Sequence, residues 1–91
     1  MKFPVIKHQN YVVYLERYDD KFWLHCDVLK WTKAERQQYV KDIDKLCFHL
    51  SEPLYALIDI DNKKLMKFAI LSGMCFSHTV ADKYNIFVRG K

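Results

Sequence analysis

The sequence predicts a single α+β domain, residues 1–91, in which a mixed sheet of about five strands carries two helices in the order β-β-α-β-α-β-β. Three observations predict it. Two segments near the N-terminus alternate apolar and polar residues at the period of two that marks strands. A well-punctuated helical stripe then runs into a nearly continuous apolar segment, the pattern of a β–α–β crossover. A second, shorter stripe lies between an Asn and a Gly and precedes two further strand-like segments.

The first strand is NYVVYLERY, residues 10–18, where Tyr11, Val13 and Leu15 alternate with Val12, Tyr14 and Glu16. Asp19 and Asp20 make a polar turn into KFWLHCDVLKW, residues 21–31. There Phe22, Leu24, Cys26 and Val28 share one face, and Trp23, His25, Asp27 and Leu29 the other. The pair reads as an antiparallel hairpin, with FPVI near the start as a short edge strand margined by Pro4.

Thr32 and Glu35 have capping-box spacing, so the hydroxyl can take the Glu35 amide while the carboxylate reaches back to the Thr32 amide. Behind them Tyr39, Val40, Ile43, Leu46, Cys47 and Leu50 form one apolar stripe, and Pro53 ends the element. LYALIDI, residues 54–60, suits a central strand buried on both faces and parallel to the Lys21 strand. Asp61 or Asn62 can cap the second helix, whose stripe is Leu65, Phe68, Ala69 and Ser72, broadened by Met66 and Ile70. Gly73 is placed for a left-handed C-terminal cap. CFSHTV and YNIFVRG, joined by ADK, close the domain as a hairpin.

Composition narrows the function classes. Hydrophobic residues make up 51% of the chain, and only two Gly and two Pro occur, which argues against disorder and against a disulfide-stapled scaffold. The longest apolar run, PLYALI, is far short of the roughly 20 residues that span a membrane. MKFPVIKHQN interrupts with Pro and Lys where a signal peptide is apolar, so a cytoplasmic location, or packaging from the cytoplasm, is expected. Cys26, Cys47 and Cys75 read as buried free thiols of a reducing compartment. The net charge of +4 comes without a basic run, which favours a solvated surface over nucleic-acid binding.

No constellation marks a reaction. Cys75 and His78 have usable ligand spacing, but no CxxC accompanies them, and no metal site is expected. Nothing flanking Cys26 or Cys75 marks an activated thiol. DIDN, residues 59–62, lacks the Gly and distal Glu of a calcium loop and reads as a strand end plus a helix cap. The aromatics could stack on nucleotides, yet no Gly-Phe-aromatic signature of the RNA-binding sheets occurs. With a sheet and only two helices, Tyr14, Trp23 and Trp31 are candidates for a partner-binding patch on an uncovered face.

The element order resembles the later two-thirds of the GNAT acetyltransferase fold. That family often carries, after its fifth strand, an Asn, a small residue three on, an apolar residue three further, a Tyr next, and Gly-Phe four later. The matching positions here are Asn62, Leu65, Phe68, Ala69 and Gly73-Met74. The chain is also similar to small phage-encoded GNAT-like proteins, in which W-T/S opens the first helix, PLYAL gives the strand and KFAxxxG the second helix. The resemblance covers residues 10–89.

It implies an acetyl-CoA site whose pyrophosphate rests on bare amides at a helix N-terminus, beside small residues. At that place this chain reads LKWTKAERQQ, with bulky Trp31 and Lys33, no glycine, and a self-satisfied Thr32–Glu35 box. Ala69 stands where the family's Tyr donates a proton. The chain is also short for the N-terminal strand and paired helices that wall the acceptor site.

The expectation is therefore a non-catalytic GNAT-like protein without cofactor. Its partner would be a protein, host or viral, as a virion component or a modulator; a homo-oligomer is compatible with this. The first alternative is a minimal N-acyltransferase that holds acetyl-CoA through Lys33, Arg36 and Asn62, with an open groove between the Lys21 and Leu54 strands. The second is a nucleic-acid-binding module.

Overall fold

A computed structural model describes residues 1–90. Six strands, one more than expected, form a single sheet in the order β1-β2-β3-β4-β6-β5. The added strand is β1 (Lys2–Lys7), which is longer than the FPVI edge segment. A bulge between Pro4 and Ile6 breaks its register against β2 (Tyr11–Tyr18). The chain thus supplies an N-terminal strand after all. Residues 8–10 turn it straight into β2, leaving no helix between them.

β2 and β3 (Lys21–Val28) form the expected hairpin. Asp19 and Asp20 close it at φ 54° and 60°. Two positive φ values match the right-handed strand twist, and Asp tolerates them better than most residues. β3 stops at Val28, short of Trp31.

α1 (Lys33–His49) returns the chain to β4 (Leu54–Asp59), which pairs parallel to β3 and lies inside the sheet. α2 (Lys63–Leu71) then crosses over β6 to β5 (Cys75–Val80), and β6 (Tyr84–Arg89) fills the gap antiparallel to both neighbours. Both crossovers move in the same direction across the sheet. The right-handed rule therefore puts both helices on one face.

Packing agrees. On the helix face, Tyr11 and Val13 meet Tyr39 and Ile43 of α1, while Leu15, Leu54, Ala56, Ile58 and Phe87 meet Ala69. A hydrogen bond of 2.7 Å between the buried Tyr39 Oη and Ser72 Oγ ties the two helices together.

The one-sided arrangement corrects two expectations. β4 is central but is not buried on both faces: Leu54, Ala56 and Ile58 are buried, whereas Leu57, pointing the other way, is 50% exposed. Within α2, Ala69 and Ser72 are buried, but Leu65 and Ile70 are 46% and 62% exposed. A nine-residue helix lying on a sheet buries one narrow stripe, and among the described residues no further element covers its outer side.

The termini of α2 follow the sequence closely. Asn62 Oδ1 accepts the Leu65 amide at 3.0 Å. At the other end Gly73, with φ 79°, allows a Schellman closure: Met74 N–H donates to Ala69 O and Gly73 N–H to Ile70 O. Arg89 of β6 adds a donor to the Ser72 carbonyl at 2.9 Å.

Candidate functional site

β3 and β4 share only two register pairs, Phe22 with Leu54 and Trp23 with Tyr55, and then part. The first turns of α1 and α2 follow the ends of these two parallel strands, so Lys33, Arg36 and Asn62 lie at the same end of the sheet. The parting is filled on the helix side. Leu24, Leu46 and Cys47 pack against both core clusters and bridge them.

The N-terminus of α1 is occupied by the protein's own carboxylate. Glu35 Oε1 accepts the Thr32 amide at 2.7 Å and also the Thr32 hydroxyl, closing the capping box. Glu35 Oε2 accepts Asn10 Nδ2 at 2.8 Å, across 25 residues of chain. The Thr32 hydroxyl, then the Thr32 amide, and then Asn10 hold the Glu35 carboxyl down to about 2, so it is an anion at neutral pH. Glu35 is buried even though it begins a surface helix. The capping box was legible from spacing. The Asn10 contact was not, because it joins the start of β2 to α1.

Lys33 and Arg36 are exposed on the first turn of α1, and Asn62 spends its side-chain oxygen on its own helix. Among the described residues no hydrogen bond or ion pair joins the three. Ala69 is buried in the core at 4% exposure. The nearby phenol of Tyr39 is fully buried, bonded to Ser72, and raised well above its ordinary pKa by burial.

The thiols fare similarly. Burial pushes Cys26 up to about 12 and raises Cys47, so neither is a nucleophile at neutral pH. Cys75, expected to be buried, is exposed on the edge strand β5. Among the described residues no three His, Cys, Asp or Glu side chains gather closely enough to hold a metal ion.

Of the three aromatic candidates, the fold brings two together. Tyr14 stands opposite His25, and Trp23 opposite Glu16, so both lie on the face away from the helices. Trp23 stacks obliquely on Tyr55 of β4 at 5.5 Å between centroids. Its indole N–H donates to Tyr18 O at 2.9 Å. His25 Nε2 and Glu16 Oε1, 2.8 Å apart, share this face.

Trp31 does not belong to it. It packs on Phe68, Tyr39 and Tyr11, at the N-terminal end of the helix layer. Tyr55 is the member that sequence reasoning missed, because PLYALI looked like a strand covered on both sides.

A cleft of about 370 Å³ lies at the far end of α1, lined by Cys47, Phe48, Leu50 and Arg89 among others. Its charged groups are already paired: Arg89 with Asp44 at 2.9 Å, and Glu52 with Arg17 at 2.8 Å.

The architecture is that of an acetyltransferase-type fold: a mixed sheet with a parting between its two central parallel strands and two helices on one side. No protein family and no curated protein matches the sequence. Among solved structures, the chain is similar to a crystal structure from Sphaerobacter thermophilus DSM 20745 of a protein designated an acetyltransferase. The TM-score is 0.52 at 10% identity, covering 90% of this chain and 61% of that one. The chain therefore spans about three-fifths of its structural neighbour. At this identity the likeness concerns the fold alone. Among the described residues no helix is long and apolar enough to cross a membrane.

Proposed function

We propose that this chain is a non-catalytic, GNAT-like binding domain that takes no coenzyme and acts by docking a protein on the open face of its sheet. The observation that carries the reading is the Glu35 carboxylate at the N-terminus of α1. A coenzyme pyrophosphate would need bare amides there; the Thr32 and Glu35 amides are taken within the capping box, and the fixed negative charge beside those of Lys33 and Ala34 repels a phosphate. The burial of Ala69 in place of a proton donor supports the same conclusion. The resemblance to small phage-encoded proteins makes a virion component, or a modulator of a host protein, the setting in which the domain works.

The docking surface is the face bearing Tyr14, Trp23, Tyr55 and Leu57. Tyr and Trp give large, stiff contact area with a polar handle, the chemistry that dominates protein interfaces.

Calorimetric titration with acetyl-CoA tests the proposal. No saturable heat is expected up to millimolar ligand, and no thiol should be released from acetyl-CoA with amine acceptors. Micromolar binding or turnover overturns the reading.

One observation favours a second reading, a minimal acyltransferase: the parting of β3 and β4 beyond Trp23 and Tyr55. Under it, Lys33 and Arg36 would bind the coenzyme phosphates and Asn62 would orient it. Lys33→Ala and Arg36→Ala would then each weaken acetyl-CoA binding, whereas the first reading expects no binding to weaken.

A further inference from the structure

The charge of this chain is divided unequally between its two layers. α1 and α2 hold seven basic and three acidic residues, and the remainder holds eight of each, so the whole net charge of +4 resides in the helices. The three helical acids are engaged by the chain itself. Glu35 is bonded to Thr32 and Asn10. Asp42 accepts the Tyr11 hydroxyl at 2.6 Å and the Gln38 amide at 2.9 Å, and Asp44 pairs with Arg89.

The cations are left over. Lys33, Arg36, Lys41 and Lys45 of α1, and Lys63, Lys64 and Lys67 of α2, are all exposed. Among the described residues none of the seven is paired with a carboxylate. In the sequence these acids are interleaved with the basic residues of α1. In the fold they face inward or toward other partners.

The arrangement is linear. Lys33, Lys41 and Lys45 occupy the outer arc of α1 over about 18 Å at 1.5 Å per residue. Lys63 and Lys67, one turn apart, occupy the outer arc of α2. The helices run parallel, because each returns from the end of one of two parallel strands, and Tyr39–Ser72 fixes them side by side.

Rows of unpaired cations repeated at helix-turn spacing suit a linear polyanion better than a single acidic side chain. Between the cations of α1 the outer surface is Ala34, Gln37 and Gln38; Phe48 is exposed three residues beyond Lys45, and Leu65 and Ile70 are exposed five residues apart on α2, so the cations are not embedded in a continuous apolar face that could enter a lipid surface. We propose that the helix layer binds the phosphate backbone of duplex DNA without reading its sequence. This surface is separate from the open sheet face, and the proposal stands whether or not that face docks a protein.

The test is fluorescence anisotropy of the intact chain with a labelled 20-base-pair DNA duplex of arbitrary sequence. Contact with about four phosphates predicts affinity falling about 100-fold between 50 and 200 mM salt. Lys41→Glu/Lys45→Glu and Lys63→Glu/Lys67→Glu should each weaken binding at least about tenfold, on the same salt argument. Lys2→Glu/Lys7→Glu, with the same charge change on β1, should stay within about twofold.

Circular dichroism of each variant checks that the helices persist. A carboxylate at position 63 is favoured there by the helix dipole, so that variant is not expected to unfold. The proposal is overturned by absent or salt-insensitive duplex binding, or by an equal loss in the β1 variant. Binding to phosphatidylserine vesicles in place of the duplex overturns it too.

Discussion

Glu35 illustrates how a single side chain can close a helix start and tie it to a distant strand. Its carboxylate satisfies the Thr32 amide and hydroxyl and reaches Asn10, so the helix start and the first long strand share one anion. The group titrates near 2 when folded against an ordinary 4.5. A lowered folded value means that the unfolded chain takes up the proton first as pH falls. The contribution is therefore complete above about 4.5, shrinks below it, and is gone near 2. Urea denaturation of wild type and Glu35→Gln should show a stability gap at pH 6 that narrows steadily toward pH 2.5. A gap independent of pH would contradict the assignment.

Tyr39→Phe tests the other residue-scale contact, the bond to Ser72 that joins the helices. A loss of about 1 kcal/mol is expected by denaturant titration. Residue-scale reading of the sequence succeeded where partners are local, as in the Thr32–Glu35 box. It failed for Asn10–Glu35 and Tyr39–Ser72, whose partners are brought close only by tertiary packing.

Among the elements, α2 was the most legible, because its boundaries are set by chemistry within the element. Asn62 caps it, and Gly73 ends it in the left-handed region. Gly73→Ala should cost about 1–2 kcal/mol for the forced positive φ. A Cβ there would also lie 2.9 Å from Arg89 Nη1, and that side chain would have to shift. A melting temperature unchanged by the substitution would mean that the cap is not formed as described. β4 was legible as a central strand but misread in its burial. Its apolar run does not record whether a second layer exists, and the burial of Leu57 depends on an absent neighbour and not on its own strand. Leu57→Lys should accordingly change stability by less than about 0.5 kcal/mol, as surface substitutions do. Ile58→Lys, one residue on and facing the core, should unfold the domain. Equal effects at the two sites would deny the one-sided sheet.

For the molecule as a whole, the element order and the two crossovers fix a half-covered sheet. Both helices share one face, and the other carries the half-buried Tyr14, Trp23 and Tyr55 beside the exposed Leu57. The fold class was readable from periodicity and punctuation. The sixth strand was underestimated because β1 has two lysines, a proline and almost no burial, so it carries little of a strand's pattern. Which helical cations stay unpaired was not readable, since that depends on where the fold engages Glu35, Asp42 and Asp44. The central claim concerns the amides at the start of α1. Coenzyme A added to 15N-labelled protein, with the amide signals of Lys33, Ala34 and Glu35 followed by NMR, reads them directly. The expected result is that these signals stay in place up to millimolar coenzyme. Saturable shifts at all three, reached at micromolar coenzyme, would contradict the account.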